Sequence, residues 1–260
     1  MFQNQVYQKQ PIGRAGTLSR DLPAVHTPHI VEGHDLKAGG FAFAGTDGKV
    51  KGTAVAGTAP VGFVIFDRYQ ANLTGDNTMT INEGEEVAVY EDGFMFAQTG
   101  DAAEGDKVLV DPTTGKISTG SAARAATAGS LNFITVADAE TWKAENAGTL
   151  TLNVDGADKE YTGMDFSGAE SLTAVAAVIA AKTTADAECA VNSEGTGLVF
   201  TSKTTGASSA VKYVGGSVSE LLGVGTSGNV VEVAGGNATV DTGFVVYTAS
   251  DVNGVAEIKK

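Results

Sequence analysis

The stretch Thr242-Gly-Phe-Val-Val-Tyr-Thr248, followed by Val255–Ile258, decides how this chain folds. Both pieces have the composition of β-strands, and Asp251-Val-Asn-Gly254 between them has the composition of a turn. Because a two-stranded hairpin is not stable alone in water, these strands must join a sheet made elsewhere in the chain. The first half of the sequence is the natural host, which makes the middle of the chain an insertion in one of its loops.

Short strand-like segments separated by glycine turns follow one another from residue 35 to residue 120. The clearest are the apolar run Pro60–Phe66 and Lys107–Val110, which precedes the turn Asp111-Pro-Thr-Thr-Gly115. A spacing of about ten residues between such strands is typical of a small barrel or sandwich. We therefore predict a mainly β protein whose body, a small β-barrel or sandwich, comprises residues 35–127 plus 235–260.

The middle of the chain, residues 128–234, has a different pattern. Thr149–Val154 alternates with period two and, after the turn Asp155-Gly156, Lys159–Thr162 returns as a second strand. Ser167-Gly-Ala-Glu170 has the form of a capping box and predicts the start of a helix. The helix is followed by two more strands, so the order β-β-α-β-β predicts an inserted α+β domain. These later elements are the apolar helical stripe Leu172, Val175, Val178 and Ile179, and the strands Ala187–Asn192 and Gly197–Ser202.

Charge is distributed unevenly along the chain. Residues 1–20 hold Lys9, Arg14 and Arg20 and no acid, whereas the whole chain has 17 Lys+Arg against 31 Asp+Glu, a net charge of −14. Three of the five prolines lie in residues 1–34, which predicts an extended N-terminal arm. The acidic balance excludes nucleic-acid binding through bulk positive charge, and a hydrophobic share of 42% excludes a disordered acidic chain.

The residues that carry enzyme chemistry are few and do not converge. His26, His29 and His34 could bind a metal ion only if their loop curled around it, so we interpret them as residues that make ordinary hydrogen bonds or face a partner. The acidic residues of Glu83–Asp92 fit a solvated rim, and a hydrolase using them stays open as a hypothesis. Cys189 fits a small core residue, and a single cysteine indicates a reducing compartment. We expect no catalytic residue, cofactor, metal site, signal peptide or membrane span.

Several motifs, in their order, resemble the structural cement proteins of tailed bacteriophages. They are Gln10-Pro-Ile-Gly13, Pro60-Val-Gly-Phe-Val64, Glu83-Gly-Glu-Glu-Val-Ala-Val89, Gly105-Asp-Lys-Val-Leu-Val-Asp-Pro-Thr-Thr-Gly115 and the closing Thr242–Lys259 hairpin. The middle of the chain resembles a module of phage tail-sheath-like and other virion surface proteins. The resemblance implies a homotrimeric β-barrel that binds the major capsid protein at capsomer junctions, outside the head, and stabilises the shell.

The resemblance further implies a virion protein made in the cytoplasm of a bacterial host, without enzymatic activity and without direct contact with nucleic acid or membrane. No motif of the family fixes the residues that contact the capsid. From their place in the basic arm, the candidates are Lys9, Arg14, Arg20, His26 and His29. The inserted domain is expected to project outward. As an alternative, the chain is a virion adhesion protein whose inserted domain binds a host glycan or surface protein.

Overall fold

A computed structural model describes residues 12–20, 23–66 and 79–260. The chain separates into two compact units. Unit 1 takes the described residues up to Ala125 together with Ala238–Lys260, and unit 2 is Ala126–Asn237. The predicted arm, body and insert had boundaries at residues 34/35, 127/128 and 234/235.

The described residues form a mainly β fold, in which strands far outnumber helices, and this confirms the predicted fold class. In chain order the strands and helices are β1 Val25–Ile30, β2 Phe41–Ala44, β3 Val50–Lys51, β4 Gly62–Val64, β5 Glu86–Asp92, β6 Phe94–Gln98, β7 Lys107–Val110, β8 Ile117–Gly120, β9 Ser130–Phe133, α1 Ala139–Trp142, β10 Gly148–Val154, β11 Ala157–Met164, α2 Leu172–Thr183, β12 Ala187–Val191, β13 Leu198–Ser202, β14 Val211–Gly215, β15 Val230–Val233, β16 Val240–Thr248 and β17 Val255–Lys259.

The first sheet of unit 1 curls towards closure. Its strand order is β1-β5-β4-β2-β3, and Val31, directly after β1, bridges to Val50 in β3. The two ends of the sheet therefore meet, as in a small barrel. Side chains alternate along the strands, and one face forms a buried cluster of apolar residues. The members of this cluster are Val31, Leu36, Ala42, Val50, Val64, Ile81, Val87 and Val89.

The second sheet of unit 1 has the order β6-β17-β16-β7-β8, so the C-terminal hairpin fills its centre. β17 pairs with β6 from Val255↔Gln98 to Lys259↔Phe94, and β16 pairs with β7. A second buried cluster takes Phe41, Phe43, Phe63 and Tyr90 from the first sheet. It takes Met95, Val108, Val110, Phe244, Val246 and Ile258 from the second. The two sheets therefore pack face to face over an aromatic core.

Unit 2 contains two further sheets, β11-β10-β14 and β12-β13-β9-β15, and the helix α2. Its separate core includes Trp142, which is fully buried, donates its indole N–H to the carbonyl of Ala137 at 3.1 Å and packs edge-on against Phe166. The ends of this unit lie side by side, because Thr127 and Gly236 pair through their backbones. A unit whose entry and exit are adjacent has the geometry that an insertion requires.

The capping-box prediction was wrong. Helix α2 begins after Ser171, whose Oγ accepts a hydrogen bond from the backbone N–H of Ala174 at 3.2 Å. Ser167 instead lies in a turn, where its backbone N–H donates to Asp165 at 2.9 Å. That turn precedes the helix, so Glu170 cannot occupy the third helical position that a capping box needs.

Candidate interaction surface

A short N-terminal segment, residues 12–20, lies along the outer edge of β6. The backbone N–H of Gly16 donates to Phe96 at 2.7 Å, Phe96 donates back to Thr17 at 2.9 Å, and Ser19 donates to Phe94 at 3.0 Å. The segment therefore acts as an additional strand that satisfies backbone groups of the edge strand. It is one part of the predicted arm, and the structure places it on the protein's own body.

Arg20 anchors the end of this segment to the C-terminal strand β17. Its Nε and Nη2 contact Oε1 and Oε2 of Glu257 at 2.7 and 3.1 Å, a bidentate ion pair. The guanidinium also lies over the rings of Phe94 and Tyr247, at 4.9 and 4.6 Å from their centroids. Arg20 thus has a role in holding the fold, in addition to any role at an interface.

The carboxylate of Glu257 is buried but fully bonded. Besides Arg20, it accepts hydrogen bonds from the hydroxyls of Ser19 at 2.6 Å and Thr248 at 2.7 Å. The hydrogen bond from Arg20 is the main cause that lowers the pKa of Glu257 from 4.5 to about 2, against the opposing effect of burial. The carboxylate is therefore charged at neutral pH.

Of the other predicted contact residues, Arg14 lies near Arg20, whereas the two histidines lie in the first sheet. Arg14 is exposed on the same segment as Arg20, with its guanidinium 4.8 Å from the ring centroid of Phe66. His26 and His29 lie on β1 in the first sheet, where His26 stacks on Tyr90 at 5.0 Å and Nδ1 of His29 lies 3.0 Å from the carbonyl oxygen of Gly48.

Lys9 lies outside the described residues. The structure thus brings Arg14 and Arg20 together on one segment and places the two histidines on another sheet. Whether these residues touch a capsid stays a prediction.

The acidic residues of Glu83–Asp92 do not converge on one point. Glu91 accepts a hydrogen bond from Thr27 at 2.8 Å, Glu85 accepts one from Asn82 at 3.0 Å, and Glu83 lies 3.8 Å from His34. Among residues 12–20, 23–66 and 79–260, no group of three His, Cys, Asp or Glu side chains is placed to hold a metal ion.

Burial raises the pKa of the Cys189 thiol to about 12, so the sulfur is protonated at neutral pH. A protonated, largely buried thiol is a poor nucleophile. In the described part of the chain, no helix is both long and apolar enough to cross a membrane.

An opening of about 530 Å³ in unit 2 lies beside Asn229. The amide of Asn229 does not face a ligand, because Nδ2 donates to the carbonyls of Thr135 and Leu222 at 2.8 and 2.9 Å and Oδ1 accepts from the backbone of Thr135 at 2.8 Å. Asn229 therefore serves to tie the loop before β15 to the end of β9.

Sequence reasoning did not single out the solvent-facing side of β15 in unit 2. Val231 and Val233 are 41% and 54% exposed there. The segment Asn229–Val233 is identifiable as a strand from its sequence. Its position at the edge of a sheet depends on its pairing with the distant β9, and no local signal carries that information.

Residues 2–151, more than half of the chain, match the family model of the XM1 gp53 minor capsid protein. The chain belongs to this family. Residues 126–237 also match the insert domain of the E217 tail sheath protein gp31, and these are the residues of unit 2. The chain is thus a member of a phage virion structural protein family, which confirms the coarser part of the resemblance inferred from sequence.

No curated protein matches the chain. Among solved structures, the D2–D3 domains of the flagellar cap protein FliD from Serratia marcescens match with 16% sequence identity, covering 64% of this chain and 92% of that chain, at a TM-score of 0.33. A likeness at that TM-score carries no inference about fold or function. The family membership therefore rests on the match of residues 2–151 to the minor capsid protein model.

Proposed function

We propose that this virion structural protein is a capsid decoration, or cement, protein that binds the outer surface of a phage head at capsomer junctions. The observation that carries the proposal is the match of residues 2–151 to a minor capsid protein, because it includes the N-terminal segment and the strands of unit 1 up to β8. In this proposal the protein is a homotrimer, contacts the major capsid protein, has no enzymatic activity and projects unit 2 outward.

The distribution of charge supports an orientation in which the basic N-terminal residues face the shell. The first 20 residues are basic, and Arg14 within them is exposed, whereas the chain as a whole has a net charge of −14. A basic segment on an acidic protein favours one face for docking on an acidic partner. Many identical contacts on a symmetric shell would add up even where each of them is weak.

Capsids that lack this protein provide the test. The doubly reversed variant Lys9→Glu with Arg14→Glu should bind such capsids more weakly than the wild type, and the difference should shrink as salt is added. A matched control, Lys203→Glu with Lys212→Glu, changes the net charge by the same amount but alters unit 2. An equal loss of capsid binding in both variants, or no loss of binding in either, would argue against docking through the first 20 residues.

Particle images by electron cryomicroscopy would locate the protein on the shell, and light scattering after size exclusion would give the number of copies in solution. Density at capsomer junctions with threefold symmetry is the expected result. A monomer in solution that also occupies single, isolated positions on the head would contradict the trimeric proposal.

A second candidate function is adhesion to the host through unit 2. It is favoured by the match of unit 2 to the insert of a tail sheath protein, which points to an accessory module with a core of its own. A chain lacking residues 126–237 separates the two functions. If it still binds capsids but virions carrying it adsorb poorly to host cells, unit 2 is an adhesion module. Unchanged adsorption would remove this candidate.

A further inference from the structure

Strand β15 forms the outer edge of the four-stranded sheet in unit 2. The order of that sheet is β12-β13-β9-β15, and β15 pairs with β9 from Val230↔Phe133 to Val233↔Ser130. On the opposite side of β15, the described residues provide no further strand. The strand therefore has one row of backbone groups that faces away from the sheet.

The register identifies which backbone groups face outward. Residue pairs in an antiparallel ladder alternate between hydrogen-bonded and non-bonded types. The N–H of Ile134 donates to Asn229 at 2.9 Å, which makes this a bonded pair, so the next bonded pair is Val231↔Asn132. The N–H and C=O groups of Val230 and Glu232 consequently point away from β9, towards the open edge.

The side chains of β15 leave this edge accessible. Val231 lies opposite Asn132 and Val233 opposite Ser130, on the face of the sheet that does not carry the buried Leu131 and Phe133. The two valines are 41% and 54% exposed. Glu232, also exposed, is the one charged residue of the strand.

Five of the other seven sheet edges in the described part of the chain carry protection that β15 lacks. The edge of β6 is covered by residues 12–20, and β3 is bridged by Val31. β1 has Pro28 at its centre, β12 packs along α2, and β11 carries the charged run 158–160. Covering segments, proline and charge are the usual means by which proteins prevent pairing at an edge. An uncovered Val-Val-Glu-Val edge is suited to pairing with another strand.

Charge decides which kind of strand fits. Unit 2 has 5 Lys and no Arg against 13 Asp+Glu, a net charge of −8. An antiparallel β15 from a second copy would bring a second Glu232 to the same short edge and a second acidic unit beside the first. Because like charges facing each other across strands are destabilising, a second copy is disfavoured and a basic strand is favoured.

We propose that the free edge of β15 binds an extended segment of a partner protein by strand addition. The bound segment pairs with the outward N–H and C=O groups of Val230 and Glu232. It carries a Lys or Arg opposite Glu232 and β-branched residues opposite Val231 and Val233. This site lies in unit 2 and is independent of the proposed docking of the N-terminal segment on the capsid.

The test uses the full chain and two synthetic peptides of seven residues with blocked ends. In one peptide lysine alternates with valine, and in the other glutamate alternates with valine. Each is titrated into isotopically labelled protein while amide signals are followed by NMR. The lysine peptide is expected to shift the amide signals of β15 and β9, and to slow hydrogen exchange at Val230 and Glu232. The glutamate peptide is expected to bind at least about tenfold more weakly.

The variant Glu232→Pro removes one outward N–H without removing a hydrogen bond to β9, and proline is tolerated at such a position. Binding of the lysine peptide should be lost in this variant. Glu232→Gln, which keeps the N–H, should retain binding that depends less on salt than in the wild type. Unchanged Trp142 fluorescence would show that unit 2 stays folded in both variants.

Three results of the peptide titrations would each overturn the proposal. The first is equal binding of the two peptides, and the second is full binding of the lysine peptide by Glu232→Pro. The third is the absence of any shift in β15 with either peptide. Concentration-dependent dimerisation of the free protein that is abolished by Glu232→Pro would also overturn it, because the occupant of the edge would then be a second copy.

Discussion

Replacement of Glu257 by Gln tests whether the ion pair with Arg20 holds the N-terminal segment on the body. Glutamine keeps an oxygen that can accept from Ser19 or Thr248 but loses the charge that Arg20 contacts in two places. We expect the free energy of unfolding of unit 1 to fall at pH 7. The buried position of Glu257, 6% exposed, makes this pair stronger than a surface ion pair.

The lowered pKa of Glu257 gives the size of the expected loss in unfolding free energy. A fall from 4.5 to about 2 corresponds to an upper bound of about 3 kcal/mol, since one pKa unit is worth about 1.4 kcal/mol. The side chain of Arg20 is 40% exposed, so solvent screens part of the interaction. We therefore expect Glu257→Gln to lower the free energy of unfolding by about 1–2 kcal/mol at pH 7.

The dependence on pH has a definite sign. A carboxyl whose pKa is lowered on folding stabilises the protein fully above its unfolded pKa, and this contribution is lost as the pH falls through the folded value. For Glu257 the loss should occur between about pH 5 and pH 2. The difference in unfolding free energy between the wild type and Glu257→Gln should therefore be largest above pH 5 and nearly vanish at pH 2.

Urea unfolding followed by two signals measures this difference. Far-ultraviolet circular dichroism reports on both units, whereas the fluorescence of Trp142, the one tryptophan, reports on unit 2. Asp241→Asn is the matched control, because its partner Lys107 lies at 2.7 Å but both side chains are substantially exposed. The control should cost less than about 1 kcal/mol. A difference for Glu257→Gln that is equally large at pH 2 and pH 7 would refute the reasoning.

Three further predictions concern unit 2. Ellman's reagent should label Cys189 slowly in the folded protein and rapidly in urea, because burial raises its pKa; rapid labelling of folded protein would contradict this. Ser171→Ala should destabilise unit 2 by about 1 kcal/mol in urea unfolding followed by Trp142 fluorescence, and Ser167→Ala much less; the reverse order would mean that the helix cap is misassigned. Excision of residues 126–237 should leave a chain that melts cooperatively, whereas aggregation of that chain would contradict an independent body.

The strand pattern could be predicted because it depends on residues that are close together in the sequence. Turn residues such as Asp251-Val-Asn-Gly254 and alternation such as that of Thr149–Val154 mark strands without reference to distant partners. The start of α2 could not be predicted as reliably, since both Ser167 and Ser171 are suitable caps. The turn held by Asp165 decides between them, and it depends on the packing of Phe166 in the core of unit 2.

The candidate interaction residues show a second limit of prediction from sequence, which concerns the partners of charged side chains. The sequence shows that Arg20 belongs to a basic stretch, which favours an external partner. The structure shows that its partner is Glu257, 237 residues further along the chain. Nothing in the local sequence of either residue indicates such a pairing. A surface charge can therefore be located from sequence, whereas the choice between an internal ion pair and an interface requires the tertiary fold.

This pairing changes which experiment can test docking through the N-terminus. Deletion of residues 2–20 would remove the segment that covers β6 and would leave the carboxylate of Glu257 without Arg20. An uncovered edge strand promotes aggregation, and a buried carboxylate without its cation is strongly destabilising. Loss of capsid binding after that deletion would thus follow from damage to the fold alone. Charge reversal at Lys9 and Arg14 leaves this anchor in place, so a salt-sensitive loss of binding in that variant reports on the interface itself.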